Sequence, residues 1–357
     1  MHTMNYQLLG RSGLRVSDLC LGTMTFGDDW GWGSPKEEAK KIYDAFRDAG
    51  GNFIDTANFY TGGSSERFVG EFMAGHREEV VVATKYSNAV PGTDANAGGN
   101  QRKNMVQAVE ASLKRLATDY IDLYWLHAWD QITPVEEVMR AFDDLVRAGK
   151  VLYVGISDAP AWVVAKSNTL AELHGWTCYV GLQINYNLLE RTVERELIPM
   201  AKDQGITLLA WSPLHNGLLT GKYLPENQAG ESKALRLNSE MMKGFAAVDK
   251  SGLTSVNDSS LQTVREVVAV AKEIGVSAAQ VALAWLRNRS VPVIPIIGAR
   301  KLAQLEDNLK SLEINLAPEQ VRRLDDVSAV PMGFPYDLLA GGAKGSLFGG
   351  MRDRIKV

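Results

Sequence analysis

The chain has 357 residues, of which 45% are hydrophobic and 22% are charged, a composition typical of a globular protein with a large apolar core. Its formal net charge of -4 at pH 7 provides no overall basic field, which argues against binding to nucleic acid or to a membrane through a polybasic surface. The two cysteines, Cys20 and Cys178, exclude a disulfide scaffold and a cysteine-based zinc site, and they fit a reducing compartment.

The sequence shows no signal for secretion or for insertion into a membrane. The first residues, MHTMNYQLLGRSG, lack the basic-then-apolar pattern of a signal peptide. No apolar run approaches the roughly 18 residues that a membrane-spanning helix needs. We therefore expect a soluble, cytoplasmic protein.

The predicted elements alternate between strands and helices along most of the chain. Residues 6–17 read as two short extended pieces around a Ser-Gly turn and predict a β-hairpin. Eight apolar or β-branched runs then predict strands at 19–23, 52–56, 80–85, 121–127, 152–157, 180–185, 206–212 and 291–298. Between them, helical spacing of apolar residues predicts helices, the clearest at 35–50, 105–117, 134–150 and 263–275.

This alternation predicts the fold class. Strands with little polar alternation, separated by helices, are typical of a parallel sheet that is covered on both faces. Eight such units favour a closed barrel over a doubly wound sheet, and no GxGxxG motif follows the first strand. We predict one α/β domain over residues 1–357, a (β/α)8 TIM barrel with an N-terminal β-hairpin and long loops at its C-terminal face.

Long loops follow three of the predicted strands, at 24–34, 86–104 and 214–258. They leave the carboxyl ends of strands, which is the face where such barrels carry their chemistry. The segment 214–258 is too long for a simple connection, so it predicts a lid, a binding loop or a disordered segment. The Gly-rich tail, 331–357, predicts either a cover over the barrel mouth or disorder.

Three consecutive predicted strands each end in a reactive side chain. Asp55 ends the second strand with Tyr60 just beyond it, Lys85 ends the third, and His127 ends the fourth. Each alone has an ordinary explanation, such as an Asp55–Lys85 salt bridge or a structural histidine. All four at one face of a barrel instead indicate a catalytic site.

Together these four side chains suit the reduction of a carbonyl group. A free tyrosine titrates at about 10 and is a poor acid, but a neighbouring ammonium lowers that pKa toward a useful range. A carboxylate keeps the ammonium charged, and a neutral histidine donates a hydrogen bond to a substrate oxygen. The set contains no hydride source, so a cofactor is required. No nucleophile with an adjacent base and no metal-ligand spacing accompanies them, so we predict no metal.

Eight motifs, in this order, carry a resemblance to a known family: LGTMTFG (21–27), NFIDTANFY (52–60), ATKYS (83–87), YIDLYWLH (120–127), GKVLYVGISD (149–158), LQINYN (182–187), AWSPLHNGLLTGKY (210–223) and PIIGARKLAQLEDN (295–308). Over roughly residues 5–330 the chain resembles the aldo-keto reductases, (β/α)8-barrel enzymes that reduce aldehydes and ketones with NAD(P)H. Within them it is similar to the bacterial-type branch close to aryl-alcohol dehydrogenases and potassium-channel β subunits.

The resemblance implies roles for the strand-end residues. Asp55, Tyr60, Lys85 and His127 would form the catalytic tetrad, with Tyr60 as the proton donor. The residues that would hold the nicotinamide are Ser157, Asp158 and Gln183 at its carboxamide and Trp211 stacked on its ring. Many members carry Asn where this chain has Asp158, and an ionised Asp accepts hydrogen bonds but cannot donate them.

The resemblance also implies how the rest of the cofactor is bound. The pyrophosphate would lie against Ser212, Pro213, Leu214, Gly217 and Lys222, which combine small residues with one positive charge. The adenosine end would be lined by Arg300, Gln304, Asp307 and Asn308, and the other implied cofactor contacts are Thr23, Met24, Asp55 and Gly298. Arg300 or Lys301 near a helix start suits a 2′-phosphate, so we expect NADPH, with NADH as the alternative.

Aromatic residues near the barrel mouth are candidates for the substrate pocket. Trp30 and Trp129 are preferred because they follow active-site strands, whereas Trp32, Tyr86 and Phe334 are equally suited to the core or to loop anchoring. We expect a small-molecule carbonyl substrate. Two alternatives stay open: a main reaction that oxidises an alcohol or sugar with NAD(P)+, and a cofactor-binding regulatory subunit with little turnover. The sequence leaves the oligomeric state open.

Overall fold

Eight parallel strands close into a barrel in the computed structural model, which describes residues 4–88, 94–227 and 257–355. The predicted TIM barrel is therefore confirmed, as is the antiparallel hairpin of β1 (Tyr6–Leu8) and β2 (Arg15–Ser17) that precedes it. The barrel strands are β3 (Cys20–Gly22), β4 (Phe53–Asp55), β5 (Val81–Tyr86), β6 (Ile121–Leu126), β7 (Val151–Ser157), β8 (Tyr179–Asn185), β9 (Thr207–Trp211) and β10 (Val293–Gly298).

Helices cover the outside of the barrel. In the described residues the α-helices are α1 (Lys36–Asp48), α2 (Ser64–Phe72), α3 (Arg102–Leu116), α4 (Val135–Arg147), α5 (Ala161–His174), α6 (Leu197–Gln204), α7 (Asp258–Ile274), α8 (Ala278–Arg287), α9 (Leu302–Leu309), α10 (Pro318–Val327) and α11 (Ala343–Leu347). Shorter helical turns lie at Tyr60–Gly63, Arg77–Glu79, Thr192–Glu194, His215–Thr220, Pro225–Asn227, Lys310–Glu313, Leu338–Gly342 and Arg352–Arg354. Among the residues described, no single helix is long and apolar enough to cross a membrane; α7 and α8 meet the length and composition required only as a pair, which is bent by 98°.

The predicted helices form, but two of them begin earlier than their apolar spacing indicates. Helix α7 begins at Asp258 because Asn257 and Ser260 form a capping box, in which the side chain of each accepts from the backbone N–H of the other. Helix α3 begins at Arg102, whose backbone N–H donates to Glu137 Oε1 of α4 at 2.9 Å. In both cases polar groups, which carry no hydrophobic periodicity, determine where the helix begins.

An indole ring fills much of the barrel interior. Trp125 of β6 is fully buried in the inner apolar cluster. It pairs with Gly155 of β7, which in turn pairs with Gly181 of β8. A Cβ built on Gly155 would lie 2.3 Å from Trp125 Cζ3, and one on Gly181 would lie 2.7 Å from Trp125 Cη2. The ring fits across these strands only because both positions lack a side chain.

The loop after β3 is hydrogen-bonded to the residues that follow β10, the strand that pairs with β3. Thr25 Oγ1 donates to the carbonyl of Ala299 at 2.7 Å, and Ser34 Oγ donates to the carbonyl of Arg300 at 3.0 Å. The loop that carries Trp30 is thereby held next to the residues that follow β10. Of the long loop after β9, residues 228–256 lie outside the described part of the chain.

The first part of the C-terminal tail contacts the segment between β8 and α6. Tyr336 Oη donates to Glu196 Oε1 at 2.9 Å, and Arg195 donates to the carbonyl of Pro331. Phe334 is 86% exposed, so it does not line an aromatic pocket as the sequence suggested. Tyr86 is likewise not a pocket residue, because it is fully buried and packs on Tyr124.

Candidate active site

The barrel brings the four predicted catalytic side chains together at the carboxyl ends of neighbouring strands. Lys85 Nζ contacts Asp55 Oδ2, lies 2.8 Å from the carbonyl oxygen of Thr56 and donates to Tyr60 Oη at 3.4 Å. His127 follows β6 directly, and its ring centroid lies 5.9 Å from that of Tyr60. The parallel register of β4, β5 and β6 produces this cluster, because residues at the same ends of paired strands are adjacent.

The Asp55–Lys85 pair is buried, and its geometry identifies it as a carboxylate and an ammonium. Asp55 accepts from Lys85 at Oδ2 and from Gln183 Nε2 at Oδ1, 2.9 Å away, so both oxygens receive donors. Burial raises the pKa of Asp55, although Lys85 and Gln183 act in the opposite direction. Burial alone would lower the pKa of Lys85, but Asp55 and Tyr60 outweigh it and raise that pKa. Lys85 therefore keeps its proton at neutral pH.

Tyr60 differs from the sequence expectation in one respect. We expected the neighbouring ammonium to lower its pKa, whereas burial is the larger effect and raises the pKa of Tyr60 despite the opposing field of Lys85. The predicted effect of Lys85 has the expected direction, but the effect of burial, which depends on the folded chain, is larger. Tyr60 is consequently a protonated phenol at neutral pH, with its oxygen held beside a permanent cation.

His127 is neutral in this environment. Burial, together with the charge of Lys85, places the pKa of His127 well below its ordinary value. Within the described residues its Nδ1 atom is buried without a hydrogen-bond partner. A neutral imidazole donates or accepts a hydrogen bond, so this ring is suited to orienting a polar substrate atom and not to supplying a charge.

The residues predicted to hold a nicotinamide ring lie beside this cluster. Ser157 and Gln183 are buried, and Gln183 uses its amide N–H on Asp55. Asp158 is exposed in the mouth, and its Oδ1 accepts a hydrogen bond of 3.0 Å from Trp211 Nε1. Trp211 itself is half-buried.

The loop after β9 contains the residues predicted to hold a pyrophosphate. Ser212, Asn216 and Gly217 have left-handed φ values of 50°, 56° and 88°, and the backbone N–H groups of His215 and Gly217 donate to the carbonyls of Ser212 and Leu214 within the turn. A Cβ built on Gly217 would lie 3.2 Å from Lys222 Nζ, so the ammonium lies directly over the glycine. In this loop Pro213 is buried and Leu214 is half-buried.

The side chains predicted to line the adenosine end of the cofactor do not form a single cluster. The backbone N–H of Arg300 donates to Gln304 Oε1 at 2.9 Å, and both side chains have solvent access. Asp307 does not join them, because its two oxygens accept from Ser277 Oγ at 2.8 Å and Gln280 Nε2 at 2.6 Å. Asp307 therefore links α9 to the start of α8, and its contact with a cofactor stays a prediction.

Other predicted cofactor residues range from buried to exposed. The hydroxyl of Thr23 is buried and donates to the Asp55 carbonyl at 3.0 Å, so it supports the end of β4 and does not face the mouth. Asn308 is also buried, Met24 is half-buried, and Gly298 is exposed. The backbone at Gly298 and the side chain of Met24 are thus accessible, whereas the Thr23 side chain is not.

Only one of the two predicted substrate residues contacts the tetrad. The ring centroid of Trp30 lies 6.4 Å from that of Tyr60 and 5.9 Å from that of Phe59. The other, Trp129, packs edge-on against Trp162 at 5.3 Å, and the described ring contacts do not join it to Tyr60 or His127.

Sequence reasoning missed Phe59. Its ring lies 5.2 Å from that of Tyr60 and 5.4 Å from that of His127. Its position immediately before Tyr60 was the available signal, but a single aromatic in a turn carries no periodicity. Phe59 and Trp30 form an aromatic wall beside the reactive phenol.

Known proteins resemble this chain over most of its length. The sequence profile described as the Aldo/keto reductase family matches residues 18–329. Norsolorinic acid reductase of Emericella nidulans is 41% identical over 338 residues, which cover 92% of this chain and 82% of that protein. The NADP(+) aryl-alcohol dehydrogenase of Phanerodontia chrysosporium is 39% identical over 353 residues, covering 94% of this chain and 89% of that protein. A putative aryl-alcohol dehydrogenase of Saccharomyces cerevisiae is 37% identical, covering 92% of this chain and 87% of that protein.

Proposed function

The chain belongs to the aldo/keto reductase family and is an oxidoreductase, and we propose that it reduces an aldehyde or ketone to the alcohol with NADPH. The observation that carries the proposal is the contact chain from Asp55 through Lys85 to the phenol of Tyr60. It provides a proton at a fixed atom beside a cation, which is what a carbonyl oxygen requires as it gains negative charge.

Each member of the tetrad has a distinct task in this proposal. Bound NADPH supplies the hydride. Tyr60 gives its proton to the substrate oxygen, and Lys85 stabilises the phenolate that remains. Asp55 holds the ammonium in place, and neutral His127 fixes the direction of the substrate oxygen through a hydrogen bond.

We propose an aryl aldehyde or aryl ketone as the substrate. The wall formed by Trp30 and Phe59 presents flat aromatic surface next to Tyr60, and aromatic pairs favour offset or edge-on contact with another ring. Two of the relatives are named aryl-alcohol dehydrogenases, which supports the same class.

A turnover assay tests the proposed reaction. Purified protein is supplied with NADPH and matched aryl, aliphatic and dicarbonyl substrates, and NADPH consumption is followed by absorbance. We expect consumption with aryl carbonyls at a higher kcat/KM than with aliphatic ones of equal size. Tight NADPH binding without consumption across the panel would contradict the proposal and favour a regulatory subunit, and the same assay with aryl alcohols and NADP+ measures the preferred direction.

Arg300→Ala is expected to weaken NADPH binding about tenfold or more while changing NADH binding much less, because a charge-assisted contact to the 2′-phosphate is lost. Isothermal titration calorimetry with each cofactor measures both dissociation constants. Lys310→Ala is the matched variant, since it removes an exposed cation at the opposite end of α9 and is expected to have the smaller effect. Equal losses for NADPH and NADH in Arg300→Ala would contradict a 2′-phosphate contact.

A further inference from the structure

Asp158 holds an exposed carboxyl group in an unusual backbone conformation at the end of β7. Its φ is 44°, in the left-handed region that aspartate tolerates better than most residues. The backbone N–H donates to the Gln183 carbonyl at 3.3 Å, and the carbonyl accepts from the Trp129 N–H at 3.4 Å. The turn therefore directs this residue into the barrel mouth, where the Trp211 N–H fixes one carboxyl oxygen.

The charge of Asp158 is not neutralised by an ion pair within the described residues. Lys85 is the cation whose field acts on it, and that ammonium is already in contact with Asp55. Its side-chain hydrogen-bond donors, the indole N–H of Trp211 and the hydroxyl of Ser157, are both neutral. A molecule bound in the mouth therefore meets an uncompensated negative charge beside Ser157, Gln183 and Trp211.

We propose that Asp158 makes the site discriminate between the two redox states of its cofactor, binding NADP+ in preference to NADPH. The inference deepens the proposed function and depends on it, since Ser157, Gln183 and Trp211 are the residues expected around the nicotinamide. That ring carries a positive charge in NADP+ and is neutral in NADPH. A carboxylate next to it stabilises the cation, whereas the amide of an asparagine offers hydrogen bonds and no net charge.

The same geometry makes the discrimination depend on pH. Although water reaches the carboxyl group, protein surrounds it in the concave mouth, and this partial desolvation raises the pKa of Asp158 to about 6. The hydrogen bond from Trp211, the field of Lys85 and a hydrogen bond with Ser157 oppose the increase, and Tyr60 is the neighbouring titratable group on the other side. The negative charge is thus present above this pKa and lost as the pH falls through it.

Bound NADP+ itself favours the ionised carboxylate, so the pKa of Asp158 is lower in that complex than in the free protein. Protonation of Asp158 therefore competes with binding of NADP+. By linkage, the affinity for NADP+ falls as the pH drops from the pKa of Asp158 in the free protein toward its lower pKa in the complex. The affinity for NADPH lacks this contribution. The 2′-phosphate also titrates at about 6, but it is common to both cofactors and cancels in the ratio of their dissociation constants.

The experiment measures dissociation constants of NADP+ and NADPH by isothermal titration calorimetry with the full chain, without any substrate, from about pH 5 to about pH 8, across the range where this carboxyl titrates. We expect Asp158→Asn to lower the ratio Kd(NADPH)/Kd(NADP+) about tenfold at the upper pH, with most of the change in NADP+. In the wild-type protein the ratio should fall as the pH decreases, and in Asp158→Asn it should be flat.

Two further variants make the result specific. Asp28→Asn removes the same charge from the exposed loop after β3 and is expected to leave the ratio and its pH dependence unchanged. Trp211→Phe removes the N–H donor that holds the Asp158 pKa down, so the wild-type fall in the ratio should move to higher pH. Equal changes for NADP+ and NADPH in Asp158→Asn, or a wild-type ratio independent of pH, would overturn the inference. If neither cofactor bound, the proposed function would fail instead.

Discussion

Tyr60→Phe is expected to lower kcat for carbonyl reduction by about 10²- to 10⁴-fold, the usual contribution of a positioned proton donor. The variant loses only the hydroxyl that lies 3.4 Å from Lys85 Nζ. The phenyl ring retains the contacts that Tyr60 makes with Trp30 and Phe59, so the aromatic wall stays in place. The affinity for NADPH should be nearly unchanged, because in the proposed mechanism the lost group acts on the substrate oxygen.

Steady-state kinetics and calorimetric binding of NADPH measure the two expectations separately. Tyr124→Phe is the matched control, because it removes a buried phenolic hydroxyl that has no hydrogen-bond partner in the described structure and lies outside the tetrad. Its kcat should equal that of the wild-type protein. A near-normal kcat in Tyr60→Phe would refute the assignment of the proton donor.

The pH dependence of the wild-type enzyme follows from the same group. Because burial raises the pKa of Tyr60 above its ordinary value, the proton donor is lost only as the pH rises through that higher value. His127 contributes no ionisation near neutrality, since its pKa is lowered well below its ordinary value. The Tyr60-dependent part of kcat should therefore be constant around neutral pH and decline only on the strongly alkaline side.

Gly155→Ala is expected to lower the free energy of unfolding by about 3 kcal/mol, at the upper end of the usual cost of overpacking a core. The new methyl group would lie 2.3 Å from Trp125 Cζ3, and the Gly181 carbonyl oxygen lies 3.1 Å away on its other side. Because Trp125 is fully buried in the barrel, the indole has no solvent-facing direction in which to move.

Urea denaturation of the variant and of Gly13→Ala measures this effect against a matched substitution. No atom lies within 4 Å of a Cβ built on Gly13, so that variant should be near neutral in stability. Trp125→Leu combined with Gly155→Ala should cost less than the sum of the two single changes, because the smaller side chain makes room for the new methyl group, which fills part of the cavity. Additive costs, or equal stabilities of Gly155→Ala and Gly13→Ala, would show that the close packing is not the cause.

Local patterns in the sequence were sufficient for the architecture and for the location of the chemistry. Short apolar runs separated by helical spacing predicted eight strands, and the structure has them in the expected order. Asp55, Lys85 and His127 were predicted to meet because the same ends of adjacent parallel strands lie side by side. That inference needs only the order of the strands, which is local information.

The remaining features depend on distances between segments that are remote in the chain, and only the tertiary structure decided them. Burial of Tyr60 reverses the expected direction of its pKa shift, and Asp307 is occupied by Ser277 and Gln280 of a neighbouring helix. Trp211 reaches across the mouth to Asp158, which leaves that carboxylate fixed but uncompensated. The sequence by itself determined which residues arrive at the barrel mouth; packing decided their desolvation and their partners, because both depend on the whole set of neighbours around each atom.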